Sequence, residues 1–250
     1  MKKADFRNTL IIIPVFNSGQ HLEELFDRIR KLEAGDIRYN ILCVDDGSVD
    51  NSYHILKKNK INYISHNRNR GKGYALKAGL TYAKVNDYKF VVTIDSDLQH
   101  DPKYIPQLLL AQNIDNADLV IGFRDFNMLG CRGAGRSSLR PYTHVGESVD
   151  KMPFSRVMSN TMTSSIVSCL SKRNILDSQS GFRLYKLDLF DESEITTDRY
   201  QMETEILFNY INKNAIISHV EIPVIYKDEK SHISHLRDIG NFIKVIFKEL

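Results

Sequence analysis

The chain has 250 residues, 42% apolar and 26% charged, with 34 Lys and Arg against 31 Asp and Glu for a formal charge of +3. That length supports a sizeable core, and that composition excludes disorder, collagen and coiled coil. The even charge balance excludes a protein that holds nucleic acid by charge alone, and no run of 18 apolar residues is present to span a membrane.

The apolar run at 10–13 stops at Pro14 with no small-residue cleavage site behind it, so no signal peptide is expected after Met1-Lys2-Lys3. Cys43, Cys131 and Cys169 are odd in number and widely spaced. They suit neither a disulfide framework nor a metal-binding pair, which points to a reducing, cytoplasmic compartment.

Residues 9–16 read as a short buried strand ending in a turn at Asn17. Leu22, Leu25, Phe26, Ile29 and Leu32 then recur at helical spacing, with Glu23, Glu24, Asp27 and Arg28 between them. Further strands are expected at 39–44, 61–65, 88–94 and 118–121. Helices are expected at 49–58, 73–84 and 102–112, the last with Pro102 in its first turn. This alternation predicts an α/β fold, with a mostly parallel sheet and helices on both faces. From 123 to 153 the period is lost. Gly130, Gly133, Gly135, Pro141 and Gly146 punctuate a modestly cationic stretch carrying Arg124, Arg132, Arg136, Arg140 and Lys151, and so long a segment without pattern marks a functional loop. Helical pattern resumes at 154–170, followed by an extended piece at 181–185, a helix at 200–211 and a strand at 215–225. No repeat or linker appears, so one domain is expected over 1–250.

Function in an open parallel sheet gathers where strands end at their carboxyl edge. The fourth strand runs into Asp95-Ser96-Asp97-Leu98-Gln99. On a strand continuing that far, the two aspartates would point the same way. Two hard carboxylate oxygens, with Gln99 as a neutral third, suit Mn²⁺ or Mg²⁺ bridging the protein to substrate phosphates. The competing reading is a solvated acidic turn; a second acidic pair, Asp45-Asp46, at another strand end favours the metal. The group Asp45-Asp46-Gly47-Ser48 also reads two ways. Ser48 would cap a helix starting near Val49, with Asp50 compensating its dipole, or an aspartate would accept hydrogen bonds from a base or ribose. Asn69-Arg70-Gly71-Lys72-Gly73 is cationic and glycine-rich just before a helix, where a phosphate meets backbone N–H groups. It completes neither a dinucleotide fingerprint nor a P-loop.

In order, P-V-F-N (14–17), V-D-D-G-S (44–48), N-R-G-K-G-Y-A (69–75), D-S-D-L-Q-H-D-P (95–102) and D-L-V-I-G-F-R (118–124) resemble the family 2 glycosyltransferases, whose nucleotide-binding half has the GT-A fold. S-Q-S-G-F-R-L-Y (178–185), Tyr200-Gln201-Met202-Glu203 and Glu221-Ile222-Pro223-Val224 are similar to later segments of the dolichyl- or polyprenyl-phosphate mannose and glucose synthases in that family. The resemblance covers most of 9–225. It implies a nucleotide-sugar-binding half at about 8–125 and an acceptor-side half at about 126–236; the apolar spacing beyond them predicts a C-terminal amphipathic helix at 237–250. The resemblance places Asp46 on the nucleotide base, with Pro14, Asn17 and Asp45 nearby and Lys72 among the donor-binding residues. Asp95, Asp97 and Gln99 would hold the metal on the donor diphosphate, Arg124 and Arg183 would face phosphate oxygens, and Glu203 would sit by the sugar or acceptor. Asp97, Glu203 and Arg183 are thus the expected catalytic residues. One departure concerns the stretch after Pro223, where Glu229, His232 and His235 replace the Arg, Gly and Lys of the family's R-x-x-G-x-S-K-L run.

The implied reaction is inverting displacement at the anomeric carbon of a GDP- or UDP-hexose, with no nucleic acid involved. A polyprenyl-phosphate acceptor, with a second pKa of about 6, needs no catalytic base at neutral pH. A glycan or glycolipid hydroxyl does need one, and Glu203 or Glu205 are the candidates, with Asp177 behind them. Glu203 also has a plainer reading as an exposed helix residue. The apolar stripe Ile239, Phe242, Ile243, Ile246 and Leu250, with Arg237, Lys244 and Lys248 around it, would either pack on the core or rest peripherally on the cytosolic face of a membrane.

Overall fold

A computed structural model describes residues 8–33, 38–124, 154–197, 201–223 and 225. The expectations for the basic loop at 126–153, for Tyr200 and Val224, and for the stripe and histidines within 226–250 lie outside the described residues.

The described chain forms strands β1 (Thr9–Val15), β2 (Asn40–Asp45), β3 (Asn62–Ser65), β4 (Phe90–Thr93), β5 (Leu119–Arg124), β6 (Arg183–Lys186) and β7 (Ile217–Ile222). Its helices are α1 (Gly19–Arg30), α2 (Ser52–Lys58), α3 (Lys72–Val85), α4 (Ile105–Asp115), α5 (Phe154–Ser171) and α6 (Gln201–Asn212). The strands make one sheet in the order β3-β2-β1-β4-β6-β5-β7. β6 is antiparallel to both neighbours, β4 and β5, and every other pair is parallel.

Apolar runs account for the central strands. All of β1 is buried, and Leu42, Cys43 and Val44 fill the middle of β2. One face of the sheet is covered by α3, α5 and α6, where Ala75, Leu76, Leu80, Val167, Met202 and Ile206 join one core. The other face is covered by α1, α2 and α4, through Leu22, Phe26, Leu56, Leu108 and Leu109. Gly79 lets α3 lie close on β1, since a Cβ there would come within 2.7 Å of Ile12 Cγ2. No described helix is long and apolar enough to cross a membrane.

Two local expectations are corrected. The helix expected from 49 begins at Ser52. Ser48 therefore does not cap it; its hydroxyl accepts from Asn17 N at 2.9 Å instead, while Asp50 accepts from Gly19 N and Ser52 N. The strand β4 stops at Thr93, so Asp95 and Asp97 stand in a turn rather than on one strand face.

Candidate active site

Chain order reverses between β1 and β4, which makes the carboxyl edge there a topological switch point, the usual place for a ligand crevice. The β1–β4 ladder ends at Ile12↔Thr93, whereas β1 stays paired with β2 through Pro14↔Val44 and Val15↔Asp45. Beyond Ile12↔Thr93, Ser96 in the segment after β4 meets Ser18 after β1, hydroxyl to hydroxyl at 2.8 Å.

On the β2 side the acidic pair is saturated. Asp45 accepts from Ser48 N at 3.0 Å and from the Ser65 hydroxyl at 3.1 Å. Asp46 accepts from Arg70 N and, at 2.7 Å, from Gly71 N, and it meets His66 Nδ1 at 2.9 Å. Gly71 has φ 104, a left-handed conformation that suits glycine, and it is the N-cap of α3. Asp46 thus fastens the 66–71 loop and fixes where α3 starts. Asn17, at φ 51, knits the same edge: its N–H donates to Ser48, and its side-chain carbonyl accepts from Val49 N.

The start of α3 brings Lys72 inward. Its Nζ lies 2.7 Å from Asp95 Oδ1 and 3.2 Å from Glu203 Oε1. Gly181 forms the wall behind them, for a Cβ there would come within 2.7 Å of Lys72 Nζ, 2.8 Å of Asp95 Oδ2 and 3.1 Å of Glu203 Oε1. Burial alone would push the Lys72 pKa down, but the two carboxylates more than reverse this and hold the ammonium charged. Burial works against ionised Asp95 too, yet Lys72, with His100 and Arg124, brings its pKa below the ordinary value. Glu203 goes the other way: burial raises its pKa, and Lys72 offsets this only in part. It is 6% exposed, so the plainer reading of an exposed helix residue is wrong.

Arg124, at the end of β5, is clamped by buried Asp177, with Nε donating to Oδ2 at 2.8 Å and Nη2 to Oδ1 at 3.2 Å. Its charge also acts on Asp95 and Asp97, and Asp177 holds its pKa up against burial. Asp97 Oδ1 accepts from Gln99 N at 3.0 Å, closing the turn that presents both side chains. Asp95, Asp97 and Gln99 are half-buried and offer hard oxygens, the donor chemistry of Mg²⁺ or Mn²⁺. Among the described residues no three His, Cys, Asp or Glu side chains form a ready-made metal site. A cation here fits as one held by few protein oxygens and completed by substrate phosphate and water.

Two sequence-based assignments do not survive. Arg183 is fully buried, donating to the backbone carbonyls of Ser180, Glu203 and Ser178, each at 2.7 Å. It faces no phosphate; it ties the 178–180 turn to α6 and so positions Glu203. Glu205 is fully buried, and both its oxygens are taken by the N–H and hydroxyl groups of Thr196 and Thr197. Burial would raise its pKa, but these donors lower it, which anchors a turn and disqualifies a base. Sequence reasoning passed over Gly181 and His100, although both lie inside the quoted motifs. Asp177 was weighed there only as a base, not as the clamp on Arg124.

The family model for glycosyl transferase family 2 matches residues 10–193. An uncharacterized protein of Methanocaldococcus jannaschii is 33% identical, over 96% of this chain and 97% of its own. The UDP-N-acetylglucosamine–dolichyl-phosphate N-acetylglucosaminyltransferase of Methanococcus voltae is 26% identical over 87% of this chain and 86% of its own. The dolichol-phosphate mannosyltransferase of Pyrococcus furiosus is 27% identical over 86% of this chain, which spans 55% of that protein. Among solved structures, glucosyl-3-phosphoglycerate synthase of Mycobacterium tuberculosis shares the fold at 18% identity. Its complex with Mn²⁺, UDP and glucosyl-3-phosphoglycerate gives a TM-score of 0.67 over 96% of this chain and 79% of that one. The saturated acidic pair beside β1, the lysine-bridged carboxylates at the switch point and the family match together identify the chain as a family 2 glycosyltransferase.

Proposed function

We propose that this enzyme transfers a hexose from GDP or UDP to a polyprenyl phosphate, with inversion and with Mn²⁺ or Mg²⁺. The observation that carries the reading is the Lys72–Asp95–Glu203 cluster, with Arg124 beside it, at the switch-point crevice. The relatives named for dolichyl-phosphate acceptors support the acceptor class. Asp95, Asp97 and Gln99 would hold the cation, which when bound neutralises charge developing on the leaving diphosphate. Lys72 and Arg124 add fixed positive charge where the diphosphate separates. An oxygen of the acceptor phosphate forms the new bond to the anomeric carbon, and the nucleoside diphosphate leaves with the electrons of the old one. The phosphate is already ionised, so no base is required. Asp45, Asp46, Pro14 and Asn17 shape the nucleotide end.

The organisation that goes with this reading is one domain over 1–250, working peripherally at the cytosolic membrane face. Incubation with GDP- and UDP-hexoses, polyprenyl phosphate and Mn²⁺ should give a sugar-bearing product that partitions into organic solvent. Nucleotide release with no lipid-borne sugar would sink the acceptor assignment.

One observation favours a second reading, a hydroxyl acceptor. Burial raises the Glu203 pKa, which suits a carboxylate that takes up a proton. A water-soluble glycan product, lost in Glu203→Gln, would establish it.

A further inference from the structure

His100 follows the turn that carries Asp95, Asp97 and Gln99, and it is 5% exposed. Its ring stacks on Phe182, with centroids 5.6 Å apart and planes 23° from parallel. Phe182 adjoins Gly181, the wall against which Lys72, Asp95 and Glu203 lie. Neither ring nitrogen has a hydrogen-bond partner among the described residues. An imidazole sealed in this way leaves a donor and an acceptor desolvated and unpaired, which costs the fold stability. A leucine would fill such a space without that penalty. The charges that act on the ring are those of Asp95, Arg124, Lys72 and Asp177, all belonging to the crevice. A neutral imidazole offers one N–H and one lone pair.

We propose that His100 is a binding residue for the metal–diphosphate end of the donor, its ring nitrogens gaining their partners only when that group is bound. The inference rests on the nucleotide-sugar reading of the crevice. The partner is an oxygen of the diphosphate or of a metal-bound water. Such a group would reach the ring only with a shift of the side chains that now close both nitrogens off from solvent. Ligands of a bound ion are themselves held by such outer partners, and losing one weakens binding about 10–100-fold.

The test compares wild type, His100→Leu and His100→Gln by thermal unfolding, with UDP and with GDP, each with Mg²⁺ and without. His100→Leu should melt no lower than wild type without ligand, because it removes two unpaired polar atoms. It should bind the Mg²⁺–nucleoside diphosphate at least about ten-fold more weakly, and His100→Gln should recover part of that loss. A structural role predicts the opposite pattern, a lower melting temperature with affinity intact, and would overturn the proposal. If His100→Leu does not fold, the imidazole nitrogen resonances of wild type decide. The His100 signals should shift on saturation with the Mg²⁺–nucleotide complex, and unchanged signals at saturation refute the assignment. If neither nucleotide stabilises wild type, it is the donor reading that fails, an outcome distinct from both.

Discussion

The ends of β2 and β4 carry similar sequences, Asp45-Asp46 and Asp95-Ser96-Asp97, and meet opposite fates. At β2 both carboxylates are enclosed by donors from Ser48, Ser65, His66, Arg70 and Gly71. At β4, Asp95 is held by one lysine ammonium, Glu203 faces the same ammonium with its pKa raised, and His100 has no partner among the described residues. Acidic residues at a strand end therefore become scaffold where loops bring backbone N–H groups to them. At the β4 end the neighbouring loop instead brings a lysine ammonium to Asp95, and the aspartates join a charged cluster at the crevice. Substitutions at the β4 end should cost activity more than stability, and substitutions at the β2 end the reverse.

The largest expected effect is in the β4 turn. Asp97→Ala should lower turnover about a thousand-fold, the scale of removing one electrostatic element from a reacting centre, with a melting temperature near wild type. A large fall in melting temperature would place Asp97 with the scaffold instead. Next is Gly181→Ala. Its methyl meets the ends of Lys72, Asp95 and Glu203, which can move aside, so the fold should persist while the cluster is displaced. Steady-state assays should show a loss of about a hundred-fold, the penalty of a misplacement of about 1 Å. An alanine variant of undiminished activity would show that the cluster's geometry does not matter.

At the β2 end, Asp46→Ala should cost about 2–3 kcal/mol in urea unfolding, because the Arg70 and Gly71 N–H groups lose their acceptor. Retained stability would erase the contrast between the two strand ends. The smallest effect is the most discriminating, since Glu203 and Glu205 are neighbours on α6 with pKa values moved in opposite directions. Glu205 is lowered in the fold, so its contribution exists above the unfolded pKa and is lost as pH falls through the folded value. The melting deficit of Glu205→Gln should therefore shrink as pH falls through and below the ordinary carboxylate range. Glu203 is raised, so its contribution exists below the unfolded pKa and is lost as pH rises through the folded value. Glu203→Gln should gain on wild type as pH rises. Parallel pH dependences for the two variants would contradict the environments described here.

Much of the fold was legible because β1, β2 and β4 are continuous apolar runs and α1 and α3 bury one periodic face. The motif positions at 45–48, 69–75 and 95–99 were legible as strand-end and helix-start clusters. Direction and burial were not. Nothing in Arg183-Leu184-Tyr185-Lys186 says that the strand runs against its neighbours, and that reversal buries Arg183 against three carbonyls where a phosphate contact had been expected. Nor could spacing separate Glu203 from Glu205. The difference comes from Thr196 and Thr197, on a turn that closes over one oxygen pair and not the other. Ser48 looked like a cap because it precedes a helical pattern, but its hydroxyl is drawn to Asn17, a residue 31 positions away.

The reversed strand also bears on how the enzyme moves. β6 is bonded to β4 on one edge and to β5 on the other, so chain from beyond residue 153 is sewn into the middle of the sheet rather than hung from its rim. A hinge opening the sheet at that seam would have to shear a ladder of β6. Swinging apart like jaws is thus the costly motion for this molecule. The ladders on both sides of β6 favour instead the rearrangement of side chains and loops above the sheet.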